Sequence, residues 1–280
     1  MSTALRIAHG AFGRVALLDM DRPLVRHAHP HCHVLLKVEG ADTAFVVGDT
    51  VYPLTDDTAV LVNGWQPHSY VHDPDRPRTV ILALYIEPEW LMAFRPGWAA
   101  SGAPGFFNHP SGGVSARIRR LSMDLAADMM ARPQARAAHE AALSELMIAV
   151  IERFTPWRSF PASIREMNVN SGDWRIRKIA ASMRAETRRG VSLDTVAKEA
   201  GLSRSHLFRL FESSIGVPPK VYQNVVRMEQ AVDAVLNRPA SLQDISQQLG
   251  FVEPAHFTRF FRNHAGVSPR EFRNISRLAC

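Results

Sequence analysis

Between residues 12 and 87 the apolar positions fall in short runs, some alternating and some continuous, and the pattern predicts strands. The runs are Val15 to Leu18, His33 to Val38, Thr43 to Val47, Val51 to Leu54, Thr58 to Val62 and Thr79 to Ile86, separated by clusters of Gly, Pro, Asn and Asp. Gly48-Asp49 sits between two of them and predicts a hairpin turn. Many short strands at this spacing imply a small antiparallel barrel or sandwich. A Gly/Pro-rich segment, 95–113, breaks the pattern, and the period then becomes helical. Ile118, Leu121, Leu125 and Met129 share one face of a first helix, which Pro133 ends; Leu143, Met147, Val150, Ile151 and Phe154 share one face of a second. These stripes fit packing on the chain's own barrel and pairing with a second subunit equally well.

Residues 156–173 carry two prolines and a polar Asn/Ser/Gly tail, the composition of a linker. Asp173 is placed to cap a helix whose apolar face is Ile176, Ile179, Ala180 and Met183, and from there the pattern stays helical. Strands followed by helices predict an α+β chain of two domains. The expected division is a sensor barrel at 1–113, a helical hairpin at 114–155, a linker at 156–173 and an all-α domain at 174–280.

The last third contains an internal repeat. SLDTVAKEAGLSRSHLFRLFESSIGVPPKVY is echoed by SLQDISQQLGFVEPAHFTRFFRNHAGVSPREF. The offset is 49 residues before the turn (Ser192 with Ser241, Gly201 with Gly250) and 50 after it (His206 with His256, Arg209 with Arg259, Gly216 with Gly266, Pro219 with Pro269), so one inserted residue at the turn separates the copies. Each copy reads as helix, Gly-containing turn, helix, at 192–215 and 241–264. Ser192, Ser241 and Ser203 are placed as N-caps, and Gly216 and Gly266 as helix ends. Leu207, Leu210, Phe211 and Ile215, and in the second copy Phe257, Phe260 and Phe261, form the inner faces. This is a helix-turn-helix, whose second helix fits the DNA major groove.

Charge sharpens that reading. The net +6 divides into −3 for residues 1–113, +1 for 114–173 and +8 for 174–280, so the positive excess lies where the repeat lies. A basic end joined to a mildly acidic one suits contact with a polyanion. No apolar run is long enough to span a bilayer, and the first twenty residues lack a secretory pattern. Two cysteines, Cys32 and Cys280, fit a reducing compartment and exclude a disulfide framework. The expectation is a cytoplasmic protein with no membrane contact.

Residues 174–275, with GLSRSHLFRLFESSIGVPP, VYQNVVRMEQAVDAVL and GFVEPAHFTRFFRNHAGVSPREFR, resemble the DNA-binding domain of the AraC/XylS family of bacterial transcriptional regulators. The resemblance implies two helix-turn-helix units joined by a linker helix and entering successive major grooves of double-stranded DNA. Residues 219–237 would make a rod of roughly 28 Å at ~1.5 Å per residue, comparable with the ~34 Å between adjacent major-groove faces. Position by position, the resemblance puts Ser205, Phe208 and Arg209 at the bases in the first unit and Pro254, Ala255, Thr258 and Arg259 in the second. Arg204, Lys220, Arg262, Arg270 and Arg273 fall where phosphates are neutralised. For Arg209 and Arg259 a salt bridge or a phosphate contact is the alternative to base reading. Glu253, Pro254 and Ala255 depart from the family's usual small polar residues, which predicts weaker base reading by the second unit.

RHAHPHCHVLLKVEG at 26–40 and NGWQPHSY at 63–70 resemble the cupin-type effector and dimerisation domain that many such regulators carry. In metal-binding cupins the ligands are two His, an acid and a later His, which fall here on His27, His29, His33 and His68, with His33 in place of the acid. Imidazole suits zinc, copper, iron or nickel, and alternate residues of a strand face one way. Pro30 inside the run opposes this, since a proline bulges a strand. The expected role of His27, His29, His33, Trp65 and His68 is to line an effector pocket, with no metal and no cofactor; Cys32, of opposite parity, points away. The chain is thus expected to be a regulator and not an enzyme, a homodimer bound to DNA and a small-molecule effector, with RNA polymerase a further partner. The alternative is a metal-dependent cupin enzyme with an appended DNA-targeting domain.

Overall fold

The computed structural model describes residues 3–159, 173–185 and 192–277. Most of the expected linker and Cys280 lie outside the described residues. The chain forms two compact units, residues 1–167 together with 271–280, and residues 168–270.

The first unit is built on two antiparallel sheets. The six-stranded sheet has the order β1-β2-β8-β3-β6-β9 and the three-stranded sheet β5-β4-β7. The strands are β1 Thr3–Gly10, β2 Gly13–Met20, β3 Cys32–Gly40, β4 Thr43–Val47, β5 Thr50–Leu54, β6 Thr58–Val62, β7 His68–Val71, β8 Thr79–Ile86 and β9 Ser111–Gly113. The six runs expected from the sequence are all strands; β1, β7 and β9 were not anticipated. The Gly48-Asp49 turn joins β4 to β5 with Val47 paired to Thr50, and Gly48 takes φ 63°, the positive angle such a turn needs.

β8 is buried along its whole length, so both of its faces are covered. Val80, Leu82, Leu84 and Ile86 cluster with Cys32, Val34 and Leu36 of β3 and with the helices α2 (Ala116–Ala131) and α3 (Arg136–Phe154). The helical stripes therefore pack on the chain's own sheet: Ile118, Leu125, Met129, Leu143, Met147, Val150 and Ile151 all belong to that core. Ser115 caps α2 by accepting from the Ile118 amide. A short helix, α1 (Pro88–Phe94), follows β8 and buries Trp90 and Leu91. The other face of β8, through Tyr85, and of β3, through His33, turns toward the histidines.

The second unit is helical: α4 Trp174–Ala185, α5 Leu193–Glu199, α6 Arg204–Ile215, α7 Pro219–Asn237, α8 Leu242–Gln248 and α9 Pro254–Ala265; α10, Pro269–Arg277, starts at its end, and its residues from 271 onward belong to the first unit. Ile176, Ile179, Ala180 and Met183 are buried on α4, and Asp173 accepts the Arg175 amide at 2.9 Å as its cap. Ser192, Ser203 and Ser241 accept the amides of Thr195, His206 and Asp244. Asp244 answers Ser241 to close a capping box. Gly216 and Gly266 close α6 and α9 in the left-handed conformation, φ 89° and 79°. α7 packs against α4, α6, α8 and α9, so one rod carries both helix-turn-helix units.

Candidate functional site

The basic unit presents two reading helices, α6 and α9, at matching places in the repeat. Their inner faces hold them: Leu207 and Phe211 are fully buried on α6, Phe257 and Phe261 on α9, and Phe211 meets Tyr222 of α7 edge-on at 5.3 Å. Leu210, Ile215 and Phe260 are half-buried. The opposite faces are exposed. Ser205, Arg209, Pro254, Ala255 and Arg259 are all exposed, and Phe208 and Thr258 half-buried.

Among the described residues no carboxylate lies within ion-pair distance of Arg209 or Arg259. The salt-bridge alternative therefore has no support at either position. Arg204 differs. Its guanidinium donates to both oxygens of Asp194, at 2.8 and 2.9 Å, and lies 5.5 Å from the Phe208 ring centroid. It braces the first unit, and any phosphate contact would compete with Asp194. Lys220, Arg262 and Arg270 are exposed; Arg273 is half-buried in α10. The Thr258 hydroxyl donates to the Pro254 carbonyl at 3.0 Å, so its hydrogen is spent within the helix.

The second candidate site lies inside the first unit. His27, His29, His33 and His68 are all buried, with His27–His68, His29–His68 and His29–His33 ring centroids at 4.4, 4.8 and 4.8 Å. His27 and His29 do not share a strand with His33: β3 begins only at Cys32, beyond Pro30, in keeping with the break that the proline predicts. A separate bridge places them instead, in which the His27 and His68 backbones exchange hydrogen bonds of 2.9 and 2.8 Å. Trp65, with φ 65°, contributes through its backbone, its amide donating to the His29 carbonyl at 2.8 Å. Gly64 permits the approach, since a Cβ there would stand 2.7 Å from the Pro30 carbonyl oxygen. Cys32 is buried in the sheet–helix core, on the face away from His33, and burial pushes its thiol up to about 12.

Backbone carbonyls fix the tautomers. Nδ1 lies 2.8 Å from the Val25 carbonyl in His27, 3.0 Å from the His31 carbonyl in His29 and 2.9 Å from the Gln66 carbonyl in His68. A carbonyl only accepts, so each Nδ1 carries the proton and each Nε2 the lone pair. His33 Nδ1, 3.1 Å from His29 Nε2, must then donate to it. This leaves His33 Nε2 and His68 Nε2 as buried acceptors with no hydrogen-bond partner among the described residues. Burial, then the neighbouring rings, hold His29 and His33 well below the usual imidazole value, and burial takes His68 down to about 4. These three rings are neutral near pH 7.

Ligand atoms of His27, His29 and His68 lie within 4.8 Å of one another. The imidazoles of His27, His29 and His68, each oriented by a carbonyl on Nδ1, fit a borderline transition-metal ion and suit calcium or magnesium poorly, the ion taking the place of the His33 Nδ1–H at His29 Nε2. The donor set therefore fits such an ion through three histidines and not four.

Residues that the sequence reading passed over complete the site. Tyr85 of β8 stacks on His33 at 4.1 Å, and the Arg14 guanidinium of β2 lies 3.9 Å above the other partner of that stack, the Tyr85 ring. Strand register explains the alignment, because Tyr85 pairs with both Arg14 and His33. His31 Nε2 lies 2.8 Å from Glu87, and that hydrogen bond holds the Glu87 carboxyl below its ordinary value.

Residues 19–147 match the AraC-like ligand binding domain family, and residues 196–275 match a helix-turn-helix domain family. The chain carries an AraC-like ligand-binding domain followed by a helix-turn-helix domain of the AraC type. Among similar AraC-type proteins, the lactose operon transcription activator of Staphylococcus xylosus is 33% identical over 69 residues, 25% of each chain. The chain thus spans a quarter of that relative's length. The Msm operon regulatory protein of Streptococcus mutans is 29% identical over 117 residues, 42% of this chain and 40% of that one. The fold resembles that of an apo ToxT variant from Vibrio cholerae, with TM-score 0.59 and 14% identity over 96% of this chain and 99% of that one. The AraC-type architecture of a sheet-rich domain followed by a helix-turn-helix domain is thus the architecture of this chain. Among the described residues no helix is long and apolar enough to cross a membrane.

Proposed function

We propose that this protein is a sequence-specific transcriptional regulator that binds duplex DNA through α6 and α9 under the control of a small-molecule effector held in the sensor barrel. One observation carries the reading: Arg209 and Arg259 occupy the same repeat position on two exposed helices of a strongly basic segment, and neither has an acidic partner among the described residues. Arginine held out in this way is suited to bidentate contact with guanine. Ser205, Phe208, Pro254, Ala255 and Thr258 flank these arginines at the bases, while Lys220, Arg262, Arg270 and Arg273 serve the phosphates, with Arg204 in a shared role. Selection from random duplex DNA with the full-length protein should enrich a motif with two reading segments. A pool with no enriched motif would overturn the proposal.

The effector site is the cluster of His27, His29, His33 and His68, closed by Tyr85 and by the backbone of Trp65. His27, His29 and His68 would hold a transition-metal ion there, and such an ion, when bound, supplies a Lewis-acidic anchor for a donor atom of the effector. Tag-free protein loaded with zinc or cobalt and then dialysed should retain close to one equivalent. Retention below a tenth of an equivalent removes the metal and leaves a hydrogen-bonding pocket. The effector regulates to the extent that it binds two arrangements of the chain unequally. We extend the reading to a cytoplasmic homodimer that contacts RNA polymerase; the repeat spacing in the selected DNA tests the dimer.

A further inference from the structure

The repeat is not perfect, and its single inserted residue can now be located. Gly201 matches Gly250 and Ser203 matches Glu253, so one residue, Leu202, lies between them in the first copy and two, Phe251 and Val252, lie there in the second. Phe251 takes over the packing role. Leu202 is buried in the first unit, while Phe251 is half-buried among Phe257 and Phe260, at 5.4 and 5.3 Å, with the Arg227 guanidinium 5.2 Å from its centroid. Val252 is therefore surplus to the core. It is 92% exposed, an apolar side chain in water at the entrance to a reading helix.

Its neighbours extend the same chemistry. At 254 and 255 the second unit has Pro and Ala where the first has Arg204 and Ser205. Thr258 follows one turn later, with its hydroxyl hydrogen already given to the Pro254 carbonyl. Apart from the exposed His256, which matches His206 of the first copy, the first turn of α9 offers no side-chain donor, whereas that of α6 offers Ser205. In a major groove the apolar group available to such an edge is the C5 methyl of thymine, which contacts Ala and the methyl of Thr.

We infer that Val252, with Ala255, selects thymine by packing on its C5 methyl groups, so that the second unit reads bases largely by shape and apolar contact. Arg259 supplies the polar contact further along the helix. This inference rests on the DNA-binding reading above and names the specificity of its second half.

Replacing thymine by deoxyuridine removes the methyl and leaves every hydrogen-bonding group in place. With the selected site as the probe, single thymine-to-deoxyuridine changes across the second half should weaken binding about 4-fold at one or two positions, the worth of one buried methyl at ~0.8 kcal/mol. Val252→Ala should bind thymine DNA more weakly and lose most of its discrimination at one of those positions, while Val252→Leu should keep it. The inference is overturned if no deoxyuridine change in that half alters affinity, or if Val252→Ala weakens thymine and deoxyuridine sites equally. It is also overturned if Val252→Ala lowers transcriptional output with DNA affinity unchanged, since Val252 would then serve a protein partner. Failure to enrich any motif at all would instead sink the DNA-binding reading on which it stands.

Discussion

Arg209→Ala separates base reading from phosphate contact. Arg209 is exposed and, among the described residues, has no acidic partner, so its removal should change unfolding stability by no more than about 0.5 kcal/mol. A lost bidentate guanine contact costs ~1–3 kcal/mol, roughly 5- to 150-fold in affinity, and falls on one base pair. A lost phosphate contact instead weakens all sequences alike and lowers the salt slope by about 1. The assay is fluorescence anisotropy on the selected site and on variants with single base-pair changes, for wild type and mutant, at several salt concentrations. The expected result is that wild type discriminates at a G·C pair to which Arg209→Ala is indifferent. Arg204→Ala supplies the contrast, because its guanidinium is already engaged by Asp194 and lies near the Phe208 ring. It should lower stability slightly and affinity without regard to sequence. An Arg209→Ala protein that retained the full discrimination of wild type would refute the assignment.

Two glycines with nearly the same φ, 89° at Gly216 and 91° at Gly40, should respond differently. Gly216→Ala, where a new Cβ meets nothing within 4 Å, should cost about 1–2 kcal/mol from the left-handed backbone alone. Gly40→Ala would place its Cβ 2.1 Å from the Arg78 carbonyl oxygen and should cost at least about 3 kcal/mol, read by urea unfolding. Lys37 is buried, with its ammonium 2.6 Å from Asp42 and 3.3 Å from Asp56, both half-exposed. Lys37→Met leaves carboxylates that water can reach and should be close to neutral, whereas Asp42→Asn with Asp56→Asn strands a buried charge and should cost about 3–5 kcal/mol; thermal melts rank the two. Burial holds His264 below its ordinary 6.5, so the unfolded chain takes up the proton first. Its share of stability is complete above pH 6.5 and falls as pH drops from there toward the folded value. The urea midpoint should fall less between pH 7.5 and 5.5 in His264→Gln than in wild type.

The helical unit was legible because its signals are local. Caps at Ser192, Ser203 and Ser241, stops at Gly216 and Gly266, and the 219–237 rod each depend on a few adjacent residues, and each appears where the sequence put it. In the sensor, runs of β-branched and other apolar residues marked six strands, while β9, with the sequence Ser-Gly-Gly, offers no side-chain pattern to read. The histidines were legible as a group, but their arrangement was not. His27 and His29 are placed by a bridge to His68, about forty residues away, and Tyr85 and Arg14 join them through the register of β2, β8 and β3. Pairing across a sheet leaves no trace in spacing along the chain.

The continuous helix α7 has a consequence for how such a reader can diverge. Both units pack on one uninterrupted rod from Pro219 to Asn237. Each residue added to a helix turns everything beyond it by about 100° and advances it ~1.5 Å. A one-residue insertion near the middle of α7 would swing α9 away from the side that α6 faces, while a four-residue insertion would nearly restore the facing but shift it by ~6 Å. A loop would absorb such changes; this rod converts them into phase errors. If α6 and α9 read DNA as proposed, the spacing between the two segments is open to change only in near-whole helical turns, whereas the bases each one reads can drift one side chain at a time.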